Sequence, residues 1–134
     1  LHETPDIWTN RVVKSGQELP LEPAGRAFHI LAELNIPDGA KLTFNIRGIP
    51  VILTSKTLES GNPPAAIGDR VRTVDLLVDR ASIETYVNDG ELSSTRFVLP
   101  HANGLSVKAE GGQVTIKSLI IYPLKSAWPA KVSR

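Results

Sequence analysis

The sequence has no cysteine, few aromatic residues and no excess of either charge. The absence of cysteine excludes disulfides, thiolate metal ligands and a cysteine nucleophile. Lys and Arg number 15 against 14 Asp and Glu, and no run of like charge reaches five residues. The electrostatic signature of a nucleic-acid or anionic-membrane partner is therefore missing. No apolar stretch approaches the roughly 18 residues that a membrane-spanning helix requires.

The composition that remains is that of a folded globular domain. Hydrophobic residues make up 41% and charged residues 22% of 134 positions, which predicts one domain over residues 1–134. The chain starts Leu1-His2-Glu3, with neither an initiator Met nor a signal-peptide pattern, so we expect a domain excised from a longer protein. The compartment is not predicted, and a secreted or periplasmic parent is compatible with the chain.

Apolar and polar residues alternate with a period of two in short segments separated by turn residues, which is typical of β-sandwich strands. In the first clear segment, alternate apolar side chains fall on one face: Phe28, Ile30, Ala32, Leu34 and Ile36. Leu42, Phe44 and Ile46 repeat the pattern, and no segment has helical periodicity. The predicted fold is all-β, a two-sheet antiparallel β-sandwich of the concanavalin or laminin-G type.

The second half of the chain predicts consecutive strands joined by turns at three places. Residues 71–78 and 83–87 flank a turn at Asp79–Ser82. Asp89-Gly90 between β-prone runs is a strong hairpin signal, because both central positions of that turn need positive φ. Gly111-Gly112 marks a further tight turn. We therefore expect residues 71–122 to form adjoining antiparallel strands that bend at these three turns.

Residues 78–91, V-D-R-A-S-I-E-T-Y-V-N-D-G-E, resemble a stretch in the C-terminal sandwich domains of glycoside hydrolase family 32. Ser94-Thr95-Arg96-Phe97 and the segment from Gly104 to Trp128 are similar to two further motifs of that family, in the same order. The family contains levanases, inulinases, invertases and sucrose-6-phosphate hydrolases. The resemblance covers residues 70–128 well and the first half only in general shape.

The resemblance implies a parent enzyme in which a five-bladed β-propeller carries the chemistry and this sandwich follows it. The family's propeller uses an Asp nucleophile in a W-M-N-D-P-N-G-like motif, a stabilising Asp in R-D-P and an acid Glu in E-C. None of these motifs occurs here: Asn88-Asp89-Gly90 lacks the proline, and Gly68-Asp69-Arg70 is not R-D-P. We expect no catalytic residue and no cofactor or metal in this chain, and the propeller as its partner.

Candidate sugar-binding residues cluster around the turn at Asp79 and the strand after it. Asp79, Arg80, Glu84 and Tyr86 are the predicted members of a fructan or fructose pocket, while the structural alternative has Asp79 capping its turn. Arg96 is the fifth candidate. Strict hairpin register places Glu84 opposite Thr95, whereas a one-residue bulge would place it opposite Arg96. A Glu84–Arg96 pair would then either fix the strand register or together hydrogen-bond the vicinal hydroxyls of a sugar.

Aromatic side chains supply the remaining candidates. Tyr86 shares its predicted strand face with Glu84 and is the best platform for a sugar ring. Trp8 and Trp128 lie near the two ends of the sequence, where docking against a propeller is the expected use. The three histidines show no zinc-site spacing.

Three functions are compatible with these observations. An accessory domain that packs on a catalytic propeller predicts a sizeable exposed apolar patch on one face of the sandwich. An autonomous fructan-binding module predicts instead a concave polar pocket near Asp79, Arg80, Glu84 and Tyr86. A plain protein-interaction sandwich is the third reading.

Overall fold

The computed structural model describes residues 6–22, 27–61, 64–79, 81–97 and 104–123. Within these ranges the chain forms twelve β-strands, arranged as two six-stranded antiparallel sheets. The described residues contain no helix, and hence none that is long and apolar enough to cross a membrane. The predicted two-sheet all-β sandwich is confirmed.

The strands divide equally between the two sheets. The first sheet has the order β1-β12-β3-β8-β9-β10, formed by Asp6–Val13 (β1), Val114–Pro123 (β12), Phe28–Asn35 (β3), Thr73–Val78 (β8), Ser82–Val87 (β9) and Leu92–Phe97 (β10). The second sheet has the order β2-β11-β4-β5-β6-β7, formed by Glu18–Pro20 (β2), Leu105–Glu110 (β11), Lys41–Ile46 (β4), Ile49–Thr54 (β5), Thr57–Glu59 (β6) and Ala65–Ala66 (β7).

The core lies between the two inner faces, where the period-two alternation of the sequence places it. Every second residue of β3 is buried, and β4, β8 and β9 show the same alternation. The largest fully buried side chains come from both sheets and from Ile36, which follows β3: Phe28, Phe44, Ile30, Ile36, Leu42, Ile46, Leu53, Leu76, Ile83, Ile116, Leu119 and Ile121. Burial of each such side chain contributes about 1.5–3 kcal/mol. A one-residue shift of a strand would turn these side chains outwards, so burial on the two inner faces fixes the strand register.

Strands β8, β9 and β10 are joined by two hairpins, as predicted. Val78 pairs with Ile83 across the first turn, and Val87 pairs with Leu92 across the second. Asn88, Asp89 and Gly90 all have positive φ, so the hairpin loop extends over one more left-handed residue than the predicted Asp89-Gly90 pair.

The turn at Gly111-Gly112 does not close a hairpin, and that part of the prediction is wrong. It carries the chain from β11 in the second sheet to β12 in the first, where β12 pairs with β1 and β3. A Cβ at Gly111 would overlap the carbonyl oxygen of Gly39, in the turn where β3 leads to β4. The β3–β4 and β11–β12 connections, which both cross between the sheets, therefore lie against each other. The sequence of such a crossover turn resembles that of a hairpin turn.

Candidate functional site

The β9–β10 hairpin presents Glu84 and Tyr86 on the outer face of the first sheet. Ile83, Thr85 and Val87 are buried on the inner face, so the alternate residues of β9 point outwards. Tyr86 pairs with Ser93 and Glu84 with Thr95. The predicted sharing of one strand face by these residues is confirmed.

Glu84 and Tyr86 contact each other directly. The Tyr86 hydroxyl donates a hydrogen bond of 2.9 Å to Oε1 of Glu84. That hydrogen bond, together with the charge of Glu84, raises the pKa of Tyr86 above its ordinary value. The phenol therefore remains a neutral donor committed to the carboxylate, while the other carboxylate oxygen is left to accept from a ligand or partner.

Three residues that the sequence analysis did not select lie on the same outer face. His29 of β3 pairs with Tyr122 of β12, and Asp75 of β8 pairs with Tyr86. The His29 and Tyr122 rings lie 5.7 Å apart between centroids. The pairing order of four strands thus assembles an outer cluster, which we define as His29, Asp75, Glu84, Tyr86 and Tyr122.

His29 and Asp75 form the most enclosed part of the outer cluster. Nε2 of His29 lies 3.5 Å from Oδ1 of Asp75, which is beyond the usual length of a strong hydrogen bond. Both atoms are covered from solvent and have no hydrogen-bond partner. The pair is therefore a half-buried polar spot on the outer face of the first sheet.

The same outer face carries the exposed apolar side chains of the described part of the domain. The large hydrophobic residues with the greatest exposure are Ile7 (57%), Val12 (42%), Leu31 (37%), Phe97 (82%) and Tyr122 (37%). The registers of β1, β3, β10 and β12 place all of them on the outer side of the first sheet. Ile7 and Leu31 lie close together, because both pair with Ile120, whereas Phe97 lies on the opposite edge strand.

Asp79 lies at the turn between β8 and β9, and its backbone closes that turn. Its N–H donates to the carbonyl of Ser82 at 2.9 Å, and its carbonyl accepts from Nη1 of Arg47 at 3.2 Å. These contacts favour a structural part for Asp79 at the turn. Arg80 lies outside the described residues, so its place in a sugar pocket stays a prediction.

Arg96 lies on the opposite side of the sheet from Glu84. The register is the strict one, with Arg96 paired to Ile83 and Thr95 paired to Glu84, so the bulge that would have placed Glu84 opposite Arg96 is absent and that alternative is wrong. Arg96 instead packs over Gly61 beside the second sheet, where an added Cβ would come within 2.8 Å of its Nε. Glu84 and Arg96 cannot form one fork.

Trp8 belongs to β1 and packs partly against the core of its own domain. The Arg11 guanidinium lies 4.5 Å from the centroid of its ring. Its docking against another domain stays a prediction, and Trp128 lies outside the described residues.

A second polar group lies at the end of the sandwich where the chain enters β8. Arg70 bonds to Asp38 at 3.1 Å and Arg72 to Asp69 at 2.8 Å. The hydrogen bond and charge of Arg72 lower the pKa of Asp69. Since these charges pair with one another, we interpret the group as structural.

Asn88 ties that group to the β9–β10 loop. Its Oδ1 accepts from the backbone N–H groups of Arg72 (2.7 Å) and Thr73 (3.1 Å). Its Nδ2 donates to the carbonyl of Arg70 at 2.8 Å and to Oε1 of Glu91 at 3.4 Å. The sequence analysis did not select Asn88 for any structural part, and the described contacts make it a clamp between two loops.

Comparison with known proteins places this arrangement in a family. Residues 53–123, more than half of the chain, match the family model described as Glycosyl hydrolases family 32 C terminal. A levanase of Bacillus subtilis (strain 168) is 44% identical over 55 residues, which are 40% of this chain and 8% of the levanase. The chain therefore spans a small part of that curated relative.

Two solved structures share the fold over almost the whole chain. The fructan 1-exohydrolase IIa of Cichorium intybus has a TM-score of 0.65 at 13% identity, covering 93% of this chain and 36% of that chain. The exo-inulinase of Aspergillus awamori has a TM-score of 0.65 at 16% identity, covering 92% and 29%. The structural likeness shows only the fold, whereas the sequence match over residues 53–123 shows the family. The chain belongs to the family of glycoside hydrolase family 32 C-terminal domains.

Proposed function

We propose that this chain is a non-catalytic accessory domain of a fructan-degrading glycoside hydrolase, which packs against the catalytic part of the enzyme and stabilises it. The observation that carries the proposal is the match of residues 53–123 to the C-terminal domain of the family. The named relatives are a levanase, a fructan exohydrolase and an exo-inulinase, all of which act on fructans by name, and this chain spans only part of each.

The chemistry of the described residues supports the same proposal. A retaining glycosidase needs two carboxyl groups about 5 Å apart, one to protonate the leaving group and one to attack. The outer carboxylate of the hairpin, Glu84, accepts a hydrogen bond from Tyr86, and its strand neighbours across the hairpin are Ser and Thr residues. Asp79 is engaged at a turn through its backbone. The contacts of Glu84 and the backbone contacts of Asp79 are those of residues that hold a hairpin and a turn.

The direct experiment assays the purified chain for release of reducing sugar from levan, inulin and sucrose. We expect no turnover, because the acid and nucleophile belong to the catalytic part. The parent enzyme with this domain deleted should unfold at a lower temperature than the intact enzyme, since an apolar interface would be lost. Hydrolysis by the pure chain, or an unchanged unfolding temperature after deletion, would contradict the proposal.

Fructan binding by the domain itself is the second candidate, and the outer cluster is the observation that favours it. Glu84 and Tyr86 share an exposed strand face with hydroxyl side chains, and Tyr122 adds a partly exposed ring. Calorimetric titration of the chain with levan or fructose tests it. Tyr86→Phe removes only the hydroxyl and Tyr86→Ala also removes the ring, so binding through stacking is lost in the second variant but kept in the first. An absence of heat at millimolar sugar would contradict this candidate.

A further inference from the structure

The first sheet ends on each side in a strand that carries an inward-facing arginine. β1 and β10 are the outermost strands in the order of this sheet. Arg11 of β1 pairs with Ile116, and Arg96 of β10 pairs with Ile83. Both isoleucines are buried in the core, so both arginines belong to the inner face. A charge that points inwards from an edge strand opposes pairing of that edge with another chain, because pairing would enclose the charge.

The other outer strands of the described sandwich are protected in a second way, and β10 is not. Asn10 interrupts β1, because it has a φ of 49° and makes no ladder pair between Thr9 and Arg11. β2 has three residues and ends in Pro20, and β7 has only two residues. Strand β10 has six residues in unbroken register with β9, and Arg96 is its only charged residue.

The Arg96 side chain lies flat over Gly61 at the rim of the core. Its Nε, Cδ and Cζ atoms lie 2.8, 2.9 and 3.1 Å from the position that a Cβ of Gly61 would take. Thr85, diagonal to Arg96 across the β9–β10 ladder, is fully buried, and Ser60 beside Gly61 is 4% exposed. None of the ion pairs among the described residues includes Arg96. The guanidinium is therefore a cation without a carboxylate at the opening between the two sheets.

We propose that Arg96 keeps the β10 edge from pairing with the β10 edge of a second copy of this chain. The proposal does not depend on the proposed function, because it concerns only the edge of this domain. In antiparallel pairing centred on Thr95, Ser94 of one copy faces Arg96 of the other. The two arginines then lie on the inward side at diagonal positions about 7–8 Å apart. Each would lose water without gaining a counter-charge, which is costly.

Without that charge, the rest of β10 is suited to pairing. Its outward-facing residues, Ser93, Thr95 and Phe97, are all uncharged. A regular edge strand also presents backbone donors and acceptors that a second strand can satisfy. Phe97 is 82% exposed, and the same centred pairing would place it opposite the small Ser93 of the other copy. Removal of the Arg96 charge should therefore convert this edge into a surface that binds itself.

The test compares the self-association of the purified chain and four variants by sedimentation over a series of concentrations. Arg96→Gln removes the charge but keeps a long side chain over Gly61, and Arg96→Thr removes the charge without adding a large apolar side chain. Arg96→Lys keeps the charge. Arg11→Gln is the matched control, because it removes the equivalent charge from the strand that Asn10 still interrupts. The urea midpoint of each variant shows whether it is folded.

We expect Arg96→Gln and Arg96→Thr to bind a second copy at least tenfold more tightly than the unchanged chain does. Arg96→Lys and Arg11→Gln should stay within twofold of the unchanged chain. Amides of β10 should also exchange more slowly as the concentration of the two neutral Arg96 variants rises, because they become hydrogen-bonded to the second copy.

Three results would overturn the proposal. The first is that both neutral Arg96 variants are folded and associate no more tightly than the unchanged chain. The second is that Arg11→Gln associates as tightly as they do, or that they associate without slower exchange in β10, which would assign the contact to another surface. The third is that both neutral variants fail to fold, which would show that Arg96 supports folding itself.

Discussion

The clamp formed by Asn88 should hold two loops of the first sheet together, and its removal should cost a large part of the stability of the domain. Asn88 is 9% exposed and makes four side-chain hydrogen bonds, three of them to backbone groups of residues 70–73. Each bond is worth about 1 kcal/mol net, and a partly buried group left unpaired costs about 1–3 kcal/mol. Replacement by Gly should therefore lower the free energy of unfolding by about 2–4 kcal/mol.

The backbone and side-chain contributions of Asn88 can be separated. The residue has a φ of 51°, a conformation that costs a residue with a Cβ about 1–2 kcal/mol more than Gly, so Asn88→Ala should be less stable than Asn88→Gly by about that amount. Asn88→Asp keeps both acceptor bonds but loses the donor to the Arg70 carbonyl and places a second carboxylate beside Glu91. It should therefore be less stable than the unchanged chain.

Urea denaturation followed by circular dichroism measures these differences, and a loss of 3 kcal/mol should also lower Tm by about 10 °C for a domain of this size. Asp89→Gly is the matched control, because Asp89 has a φ of 60° in the same loop and is exposed. It should leave the stability unchanged or raise it by up to about 1 kcal/mol. If Asn88→Gly proves as stable as Asp89→Gly, the clamp carries no stability and the reasoning fails.

Two further predictions concern other contacts of the fold. Gly61→Ala should lower the free energy of unfolding by about 1–2 kcal/mol, mainly because the φ of Gly61 is 83°. Urea denaturation in an Arg96→Ala background should show that only the smaller part of this loss is recovered, the part that comes from the 2.8 Å approach of the added Cβ to Nε of Arg96. Full recovery would show that the steric contact dominates. The free energy of unfolding should fall as the pH drops below about 4, because Arg72 lowers the pKa of Asp69 in the folded state. The Asp69 carboxylate contributes its full stabilisation above its pKa in the unfolded chain, and this stabilisation is lost as the folded carboxylate takes up a proton. Asp69→Asn should flatten the change in urea midpoint between pH 6 and pH 3, and an unchanged slope would argue against that ion pair.

Strand positions were predictable because the sequence alternates wherever one face is buried. The run from Phe28 to Ile36 shows this. The hairpin at Asp89 and Gly90 was predictable from its turn residues, although positive φ at Asn88 was not. Each of these features is local: its signal lies within about ten residues of sequence. The family resemblance of residues 70–128 draws on the same local motifs, and the match over residues 53–123 agrees with it.

The arrangement of the strands into sheets was not predictable in the same way. Gly111-Gly112 looks like a hairpin turn, yet β11 and β12 belong to different sheets, because a tight glycine turn can either reverse a strand or cross between layers. The outer cluster has the same origin. Tyr122, His29 and Asp75 come from strands far apart in the sequence, and only the order β12-β3-β8 brings them together.

Strand β12 lies between β1 and β3, so the first residues of the domain acquire their sheet partner only from nearly the last. More than 100 residues separate Val13 from its partner Val114, and a ribosome adding about 5–20 residues per second needs roughly 5–20 s to make that stretch. During this interval β3, β8, β9 and β10 can already pair, while β1 and the outward side of β3 wait with open hydrogen-bonding edges. A chain terminated ahead of residue 114 would leave β1 without its partner and β3 paired only with β8, and open edges of this kind invite aggregation.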